Sequence, residues 1–584
     1  MALIICRNST EFLKAIEENP SAIYATFSTE TLPIRDILSI DSNANKYECC
    51  EISTIEGYKL LTLQRVKSLF DSALERDKNW LYSFSSKVVL SIKNIQDINK
   101  ILFVDYLYKK QPDENYVLLF NDRKIERLFL SIIDNRVVSE RLVLPSFKAC
   151  GRIVRTLLRV LLNKPNTIHY QVVFYSLSTG IPVNNSDTYF GDLPVHVSKK
   201  LQSTLVYSAS GNKLRLPRTD KQIPIESFVS WRNVASAVYE TLSECLFRQQ
   251  RPRPPSESSL NHNIISYLKE SELRTGEFFM LRLYKKAFSQ MCEKLNPETL
   301  IFPFENRSWE KLLVLAARKK KIGKLIGYQH SSLTNRHLAF EIPETEIAEG
   351  YLPDSIITVG NITAEHLRNL SPLYQDKLLI AGSLRRVEVV GHHSLPDASI
   401  LIAISSSFSE ALRLLLHINQ YESHINIPVI IRSHPTIPIK ELFDSFNWPS
   451  NISLSEGRTL TEDILSVSLV GYSSSTVSLE GMLYGRLPVF IDIGDVPAGD
   501  PILGSCRIKY TVNQEKDLLK IINEYNSLNK QNRSNLSKQA ISYAESYLQK
   551  VDKDKYEMIV NHIAELKNTK SHHEKNEPLK TKFN

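Results

Sequence analysis

The sequence lacks the residue spacings that would hold a structural metal ion or a disulfide framework. Its seven cysteines are scattered, and no two of them stand as Cys-x-x-Cys. This usage argues against a zinc site and fits a reducing compartment. The chain has no run of about 20 apolar residues, the length that a membrane-spanning helix needs, and its first residues lack the pattern of a secretory leader. We therefore expect a cytoplasmic protein.

Two phosphate-binding fingerprints are also missing. There is no Gly-x-x-x-x-Gly-Lys-Ser/Thr, which argues against a P-loop kinase or ATPase, and no Gly-x-Gly-x-x-Gly, which argues against a dinucleotide oxidoreductase. The excess of positive charge is modest, +8 over 584 residues. The basic run Arg318–Lys321 suits the end of a helix, where cations meet the helix dipole. We expect no nucleic-acid partner.

Short apolar runs alternate with longer helical patterns through most of the chain, which predicts an α/β protein with parallel sheets. The pattern divides into an N-terminal α/β section (1–145), a second α/β section (146–350) and a third (351–566). The third section has the clearest strands, beginning with Ser355–Val359 and Lys377–Ala381 and including Leu465–Val470. Residues 567–584 are polar and charged, and we predict a disordered tail.

One predicted helix, residues 148–163, is amphipathic in an unusual way. Lys148, Arg152, Arg155 and Arg159 recur at helical spacing and form one basic stripe, while apolar residues fill the other side. One interpretation is a surface helix whose basic face is solvated. The other is a peripheral membrane contact in which the stripe attracts anionic lipid.

Polar segments follow several predicted strands, at the carboxyl ends where open α/β sheets bind ligands. The first segment, FENRSWE, concentrates two carboxylates beside an arginine. Glu305 is a candidate general base, with Glu310 as a second candidate. The alternative is helix capping, with Asn306 or Ser308 as the N-cap and Glu310 in the first turn.

Two further segments place a histidine at a strand end. In YQHSS, His330 follows the predicted strand Lys324–Tyr328 and could take a proton or bind phosphate. In RSHPT, Pro435 stiffens the turn after Arg432, so that His434 and Arg432 are candidate contacts of a phosphate. Each histidine taken alone could equally be structural.

Hydroxyl-rich turns follow two strands of the third section. The larger one places Ser473, Ser474, Ser475 and Thr476 before a predicted helix, with Glu480 one turn later. Their hydroxyls and amides could hold an anion, and Glu480 could bond a ribose hydroxyl. Ser405 and Ser406 repeat the arrangement earlier. An ordinary N-cap would explain one of these serines, but not four hydroxyl residues in succession.

The order of the segments YQHSS, RSHP and GYSSSTVSLEGMLYGRLPVF resembles the GT-B glycosyltransferases of bacterial capsule and O-antigen synthesis. That group includes Kdo-transferases, polysialyltransferases and, more distantly, polyglycerolphosphate transferases of teichoic acid. With ENRSWE included, the layout is similar to the surface carbohydrate biosynthesis proteins. The resemblance covers roughly residues 260–550. It implies two Rossmann-like domains facing a cleft, preceded here by the N-terminal α/β section.

The resemblance also implies roles for these residues. His434 and Pro435 would contact the donor phosphate, Ser473–Thr476 would hold it from the other side, and Glu480 would meet the donor ribose. His330 stands where the family has Gln-His-Gly, with Ser331 in place of the glycine. The resemblance implies no cofactor and no metal, since the nucleotide-sugar donor is itself a substrate.

The predicted function is the transfer of a sugar, such as a CMP-activated ulosonic acid (Kdo or sialic acid), to a growing surface polysaccharide or a lipid-linked acceptor. A location of the protein at the inner face of the cytoplasmic membrane would suit such an acceptor. Two alternatives stay open. One is a glycerophosphotransferase with a CDP-glycerol-type donor, and the other is a non-catalytic scaffold of polysaccharide assembly.

Overall fold

The structure is a computed structural model of the 584-residue chain. It describes residues 3–19, 22–27, 115–120, 122–134, 145–162, 169–177, 187–208, 221–247, 259–342, 350–385, 396–419, 424–493, 498–504, 508–512 and 518–565, together with single residues or pairs near these ranges. The described strands form three parallel sheets of three, seven and six strands.

The three-stranded sheet belongs to the N-terminal section. Its strands are β1 (Leu3–Cys6), β2 (Ile23–Phe27) and β3 (Tyr116–Phe120), in the order β1-β3-β2. Helices α1 (Ser9–Glu18) and α2 (Arg123–Ile133) pack beside it. The run 101–104 was predicted as a strand, but Ile101 and Leu102 are helical and buried. A short apolar run has no periodicity to separate the two structures.

The seven-stranded sheet covers the second section and extends beyond it. Its strands are β4 (Val172–Ser176), β5 (Ser203–Tyr207), β6 (Gln222–Pro224), β7 (Thr299–Pro303), β8 (Lys324–Gln329), β9 (Ser355–Thr358) and β10 (Leu378–Ile380). Its helices are α3 (Phe147–Leu162), α4 (Leu193–Ser198), α5 (Trp231–Phe247), α6 (Ser259–Thr275), α7 (Glu277–Leu295), α8 (Ser308–Lys319) and α9 (Asn361–Leu370).

The six-stranded sheet forms the rest of the third section. Its strands are β11 (Ile400–Ala403), β12 (Val429–Arg432), β13 (Ile452–Leu454), β14 (Leu469–Tyr472), β15 (Leu487–Ile491) and β16 (Tyr510–Val512). The helices of this part are α10 (Phe408–Asn419), α11 (Lys440–Phe443), α12 (Leu460–Leu465), α13 (Val477–Leu483), α14 (Leu518–Ser527), α15 (Lys530–Tyr547) and α16 (Lys553–Ala564).

The strand order makes both larger sheets doubly wound. The seven strands lie in the order β10-β9-β8-β7-β4-β5-β6 and the six in the order β13-β12-β11-β14-β15-β16. Counted within its own sheet, the six-stranded set runs 3-2-1-4-5-6, which is the Rossmann order, and the seven-stranded set runs 3-2-1-4-5-6 with a seventh strand added at the end. The order reverses between β4 and β7 and between β11 and β14. Ligands of such sheets bind outside the carboxyl ends of the strands at this reversal, and the predicted α/β class with two Rossmann-like domains is confirmed.

Three sequence predictions need correction in these two sheets. Strands β9 and β10, which the sequence placed in the third section, belong to the seven-stranded sheet, where β9 pairs with β8 and β10 pairs with β9. The predicted strand Leu465–Val470 begins only at Leu469, because α12 continues to Leu465. The helical stretch 264–295 is two helices, broken at Gly276. Its φ of 78° favours glycine, and a Cβ there would lie 3.0 Å from the Ala149 Cβ.

Only part of the basic face of α3 is solvated, contrary to the first sequence interpretation. Arg159 pairs with Glu226 at 3.1 Å, with both side chains less than one-tenth exposed, and Arg152 bonds Glu277 at 2.6 Å. The apolar residues divide: Val154 and Leu161 are each more than half exposed, whereas Ile153 and Leu157 pack against the core. The carboxylates that hold the two arginines lie on other elements, and helix periodicity alone cannot reveal them.

The C-terminal helices return to the seven-stranded sheet. Ile559 and Ile563 of α16 are buried in one cluster with Ile301 and Ile326 of that sheet. At the end of α15 the backbone passes so close to Gly360 that a Cβ there would lie 2.2 Å from the Tyr547 carbonyl oxygen. Helix α16, which the sequence places in the third section, therefore covers a face of the seven-stranded sheet.

Two further sequence predictions concern the ends of the fold and the membrane. Residues 567–584, predicted as a disordered tail, lie outside the described residues. Within the described part of the chain, no helix combines the length and apolar character that crossing a bilayer requires.

Candidate functional site

Glu305 and His330 are neighbours because of the register of two strands. β7 and β8 are parallel, with Pro303 opposite Tyr328, and the Phe304 N–H donates to the Tyr328 carbonyl at 2.7 Å. Glu305 and His330 each lie two residues beyond this last pair and therefore stand at the same level. The distance from Glu305 Oε1 to His330 Nε2 is 3.7 Å, and both side chains are about one-tenth exposed.

The start of α8 fixes the backbone of this segment. Glu310 is the third residue of the helix, and its carboxylate accepts the Glu305 N–H at 2.9 Å. The N-cap is Arg307, without a side-chain cap bond, rather than Asn306 or Ser308 as expected. Asn306 has a left-handed φ of 57° and donates from Nδ2 to the Ala339 carbonyl at 2.7 Å. Glu310 therefore holds the turn that presents Glu305.

Burial and the charges around Glu305 shift the pKa values of Glu305, His330 and Glu310 in different directions. Burial raises the pKa of Glu305, but the Arg307 guanidinium, which pairs with it, and then His330 outweigh burial and bring the pKa to about 2. Burial lowers the pKa of His330 to about 4, although the Glu305 charge acts against it. Burial and the neighbouring Glu305 raise the pKa of Glu310 well above its ordinary value. At neutral pH the pair is a carboxylate beside a neutral imidazole.

Tyr189 is a further residue of this cluster that the sequence did not indicate. Its ring meets the His330 ring edge-on, with centroids 4.5 Å apart. The Tyr189 N–H donates to Asp187 at 2.8 Å, and Asp187 also accepts the Ser176 hydroxyl at 2.7 Å at the end of β4. The cluster thus draws on the ends of β4, β7 and β8, which are adjacent in the sheet.

The hydroxyl turns of the six-stranded sheet follow its two central strands. Ser405 and Ser406 come after β11, and Ser473–Thr476 come after β14, which is the point where the strand order reverses. Ser405 and Ser473 are buried, while Ser406 and Thr476 are exposed. The Ser475 hydroxyl accepts the Val477 N–H at 3.4 Å, as a turn residue does. Ser473 Oγ is buried and meets no hydrogen-bond partner among the described residues.

An ion pair joins the two sheets at these ends. Glu410, in the first turn of α10, is fully buried and accepts Arg336 Nη1 at 2.7 Å. Its other carboxylate oxygen accepts the Ser474 hydroxyl. Arg336 comes from the loop that follows β8, so the carboxyl ends of the two sheets face each other. Neither Arg336 nor Glu410 stood out in the sequence, because their significance comes from a pairing across 74 residues.

Arg385 is a second arginine between the sheets that the sequence did not indicate. It follows β10 and is exposed. Its charge helps to lower the pKa of His330 on one side. On the other side, burial raises the pKa of Glu480 and Arg385 acts against that rise. Glu480 lies in α13, one turn after the Ser473–Thr476 segment, so both halves of the predicted site are within the electrostatic reach of one cation.

His434 and Pro435 form the tip beyond β12. The Thr436 N–H donates to His434 Nδ1 at 3.2 Å, so the neutral ring carries its proton on Nε2. Burial lowers the pKa of His434, which favours that neutral form. Pro435 is exposed. β12 lies next to β11, on the side away from β14, so His434 is two strands from the Ser473 turn.

Arg432 differs from the other candidates because protein groups already hold its guanidinium. Its Nη1 lies 2.5 Å from the buried Asp463 and 3.1 Å from the Arg458 carbonyl. This network ties β12 to α12. A phosphate would meet Arg432 only in competition with Asp463.

The described residues contain no group of three or more His, Cys, Asp or Glu side chains arranged to hold a metal ion. The sequence has one Asp-x-Asp spacing, Asp552 and Asp554. Asp552 is the N-cap of α16 and accepts the Lys555 N–H at 2.9 Å. Helix capping accounts for this residue.

No protein-family model matches the sequence, and no curated protein is significantly similar to it. Among solved structures, the chain is similar to the glycotransferase of kitacinnamycin, with 12% identity over 68% of this chain and 100% of that one and a TM-score of 0.36. The wall teichoic acid polymerase TagF gives 12% identity over 76% and 96%, with a TM-score of 0.35. UDP-GlcNAc 2-epimerase from Methanocaldococcus jannaschii gives 11% over 67% and 99%, with a TM-score of 0.34.

Proposed function

We propose that this protein is a GT-B glycosyltransferase that moves a sugar from a nucleotide-activated donor to a saccharide acceptor. The observation that carries the proposal is the meeting of two doubly wound sheets at their carboxyl ends, joined by Arg336 and Glu410. One sheet brings a buried carboxylate and imidazole to this place, and the other brings hydroxyl turns. A group-transfer enzyme needs both an acceptor base and a site for the leaving phosphate.

In this proposal the six-stranded sheet binds the donor. His434 donates its Nε2–H to the phosphate, since Nδ1 is occupied by the Thr436 N–H. The hydroxyls and amides of Ser473–Thr476, with Ser405 and Ser406 beside them, hold the phosphate from the other side. Glu480 bonds the ribose. The exposed cation Arg385 stabilises the charge that develops on the departing phosphate.

The acceptor hydroxyl would meet the seven-stranded sheet. The sequence favoured Glu305 as the base, but a carboxylate with a pKa of about 2 is a weak one. We assign the role of the base to His330, which is neutral above pH 4. Its Nδ1 is buried without a hydrogen-bond partner among the described residues and is the atom that would accept the proton. Glu305 becomes the group that stabilises the imidazolium. Glu310 positions Glu305 by accepting its backbone N–H.

The bond changes follow from these assignments. The acceptor oxygen forms a bond to the sugar while its proton passes to His330. The bond between the anomeric carbon and the phosphate oxygen breaks, and the nucleotide leaves with the electron pair. The donor class we favour is a CMP-activated ulosonic acid, with a surface polysaccharide or a lipid-linked saccharide as acceptor. No step requires a metal ion or another cofactor. The unlinked, buried cysteines Cys6, Cys245 and Cys292 support a cytoplasmic setting.

A nucleotide screen followed by a transfer assay tests the proposal. Thermal shift with CMP, CDP, UDP and GDP identifies the donor nucleotide, since a ligand at about 100 times its Kd stabilises by about 2.7 kcal/mol. Transfer is then measured with the matching nucleotide sugars and, in parallel, with CDP-glycerol. Sugar transfer supports the proposal, and transfer from CDP-glycerol alone replaces it with the glycerophosphotransferase. Nucleotide binding without any transfer indicates the scaffold.

A further inference from the structure

Two neighbouring surface helices of the seven-stranded domain expose most of the large apolar side chains that the described residues leave open to solvent. On α3 most of these residues are separated by three, four or seven positions, which places them on one face: Phe147, Val154, Leu158, Leu161 and Leu162. On α5 the separations are eight, three and four positions: Trp231, Tyr239, Leu242 and Leu246. Spacing of this kind marks one face of each helix. We call the two faces together the apolar stripe.

The exposure of the stripe is large. Phe147 is 98% exposed, Tyr239 is 72% exposed and Trp231 is 58% exposed. Outside these two helices, only Leu214 and Met558 among the described residues are exposed large hydrophobics, at 37% and 36%. α3 and α5 pack against each other. Exposed apolar surface on this scale, on two helices that touch, marks a place where a protein meets a membrane or a partner.

The charges that border the stripe are positive. Lys148 and Arg232 are exposed, and the Arg232 guanidinium lies 5.6 Å from the centre of the Trp231 ring. α3 contains no acidic residue. The acidic residues of α5 lie off the exposed face, and Glu240 pairs with Lys286 at 2.7 Å. A second copy docked through the same face would bring these cations together, whereas an anionic surface would neutralise them.

We propose that the apolar stripe of α3 and α5 is a docking surface for an anionic lipid membrane. Apolar residues between cations, with Trp and Tyr among them, are the composition of helices that lie in a membrane interface. The apolar face of α3 enters the interface, and the arginines of its other side hold the helix to the protein through Glu226 and Glu277. The proposal concerns binding alone and is independent of catalytic activity.

Vesicle co-sedimentation of the full chain tests the docking surface. The vesicles are phosphatidylethanolamine with phosphatidylglycerol, compared with phosphatidylcholine alone. The variant L158Q/L161Q/L242Q/L246Q replaces four exposed leucines and so leaves the core intact. It should lower binding to the anionic vesicles by at least about 100-fold, since each partly exposed leucine that leaves the interface costs about threefold or more and the four factors multiply. The matched control is L214Q/M558Q, which replaces the exposed apolar residues elsewhere and should bind like the unaltered protein.

The electrostatic part is tested separately. K148E/R232E should lower binding to anionic vesicles by about tenfold or more and leave the weak binding to phosphatidylcholine unchanged. Equal loss in both glutamine variants overturns the assignment to the stripe. Absence of vesicle binding by the unaltered protein overturns the proposal, and so does a concentration-dependent dimer that only the four-leucine variant abolishes.

Discussion

Glu305 and His330 stand at the same level on neighbouring strands, with Oε1 and Nε2 3.7 Å apart. The separation is too long for a hydrogen bond in the resting state. It is short enough for an ion pair once the imidazole gains a proton. Glu305 therefore stabilises the imidazolium once His330 has taken a proton, and makes no hydrogen bond to the neutral ring before that.

His330→Gln should lower sugar transfer by about 10²–10⁴-fold with nucleotide affinity unchanged, because it removes the proposed base. Glu305→Gln should have a smaller effect and should also move the acid limb of the kcat/KM profile to lower pH. The Glu305 charge raises the pKa of His330, so its removal lowers that pKa further. Full transfer by H330Q, together with a collapse of transfer in E305Q, would return the base to Glu305.

His434→Ala should weaken nucleotide binding by about 1.5–3 kcal/mol, the contribution of a hydrogen bond to a charged group. The matched control is His424→Ala, since His424 precedes β12 at the opposite end of the same strand and should leave binding unchanged. Calorimetric titration with the nucleotide found in the screen measures both variants. Equal affinities for the two would exclude His434 from the donor site.

Breaking the ion pair between the sheets should be costly. Arg336→Met or Glu410→Gln alone leaves one charge in a nearly water-free position, which costs about 3–5 kcal/mol of unfolding free energy. The double variant should recover much of this loss, and a double-mutant cycle in urea measures the coupling. Lys440 and Glu456 form an exposed pair at 2.7 Å, and Lys440→Met should change stability far less than either of these single variants, because water screens the pair. Additive effects at Arg336 and Glu410 would contradict the pairing.

The contribution of His330 to stability should fall as the pH drops below 6.5, whereas the raised pKa of Glu310 acts in the opposite direction. The folded-state pKa of His330 is about 4, compared with an ordinary value of 6.5, so the unfolded chain binds more protons between these two values. The contribution is fully present above pH 6.5 and is lost towards pH 4, at about 1.4 kcal/mol per pH unit at most. Thermal midpoints between pH 7 and 5 measure this loss, and H330Q should flatten the dependence. An unchanged slope in H330Q would show that His330 is not buried in its neutral form.

The sequence predicted the strand-like runs on which the site depends, because continuous apolar residues followed by polar ones mark the end of a buried strand. It could not predict that β7 and β8 are neighbours in a register that puts residue 305 beside residue 330. That relation is set by pairing between segments, and no local pattern records it. The assigned roles of Glu305, Glu310, His330, Arg432, His434 and the hydroxyl turns remain predictions.

The orientation of α3 shows a different limit. Its amphipathic pattern leaves two interpretations open, a solvated basic face or a basic face that attracts anionic lipid, and neither of them places the arginines against the protein. In the structure Glu226 and Glu277, which follow in the chain by 67 and 125 residues, take up Arg159 and Arg152. A buried ion pair can override the apolar preference of a helix face only when its partner is supplied from elsewhere.

The return of α16 to the seven-stranded sheet sets an order of assembly during synthesis. The last strand of that sheet is complete at Ile380, yet the face formed by Ile301 and Ile326 is covered only when residues 553–564 have been made. A chain that emerges from its N-terminus therefore finishes the six-stranded sheet while the earlier one still exposes apolar surface. Of the two larger sheets, the one that starts first is therefore completed last, when α16 packs against it.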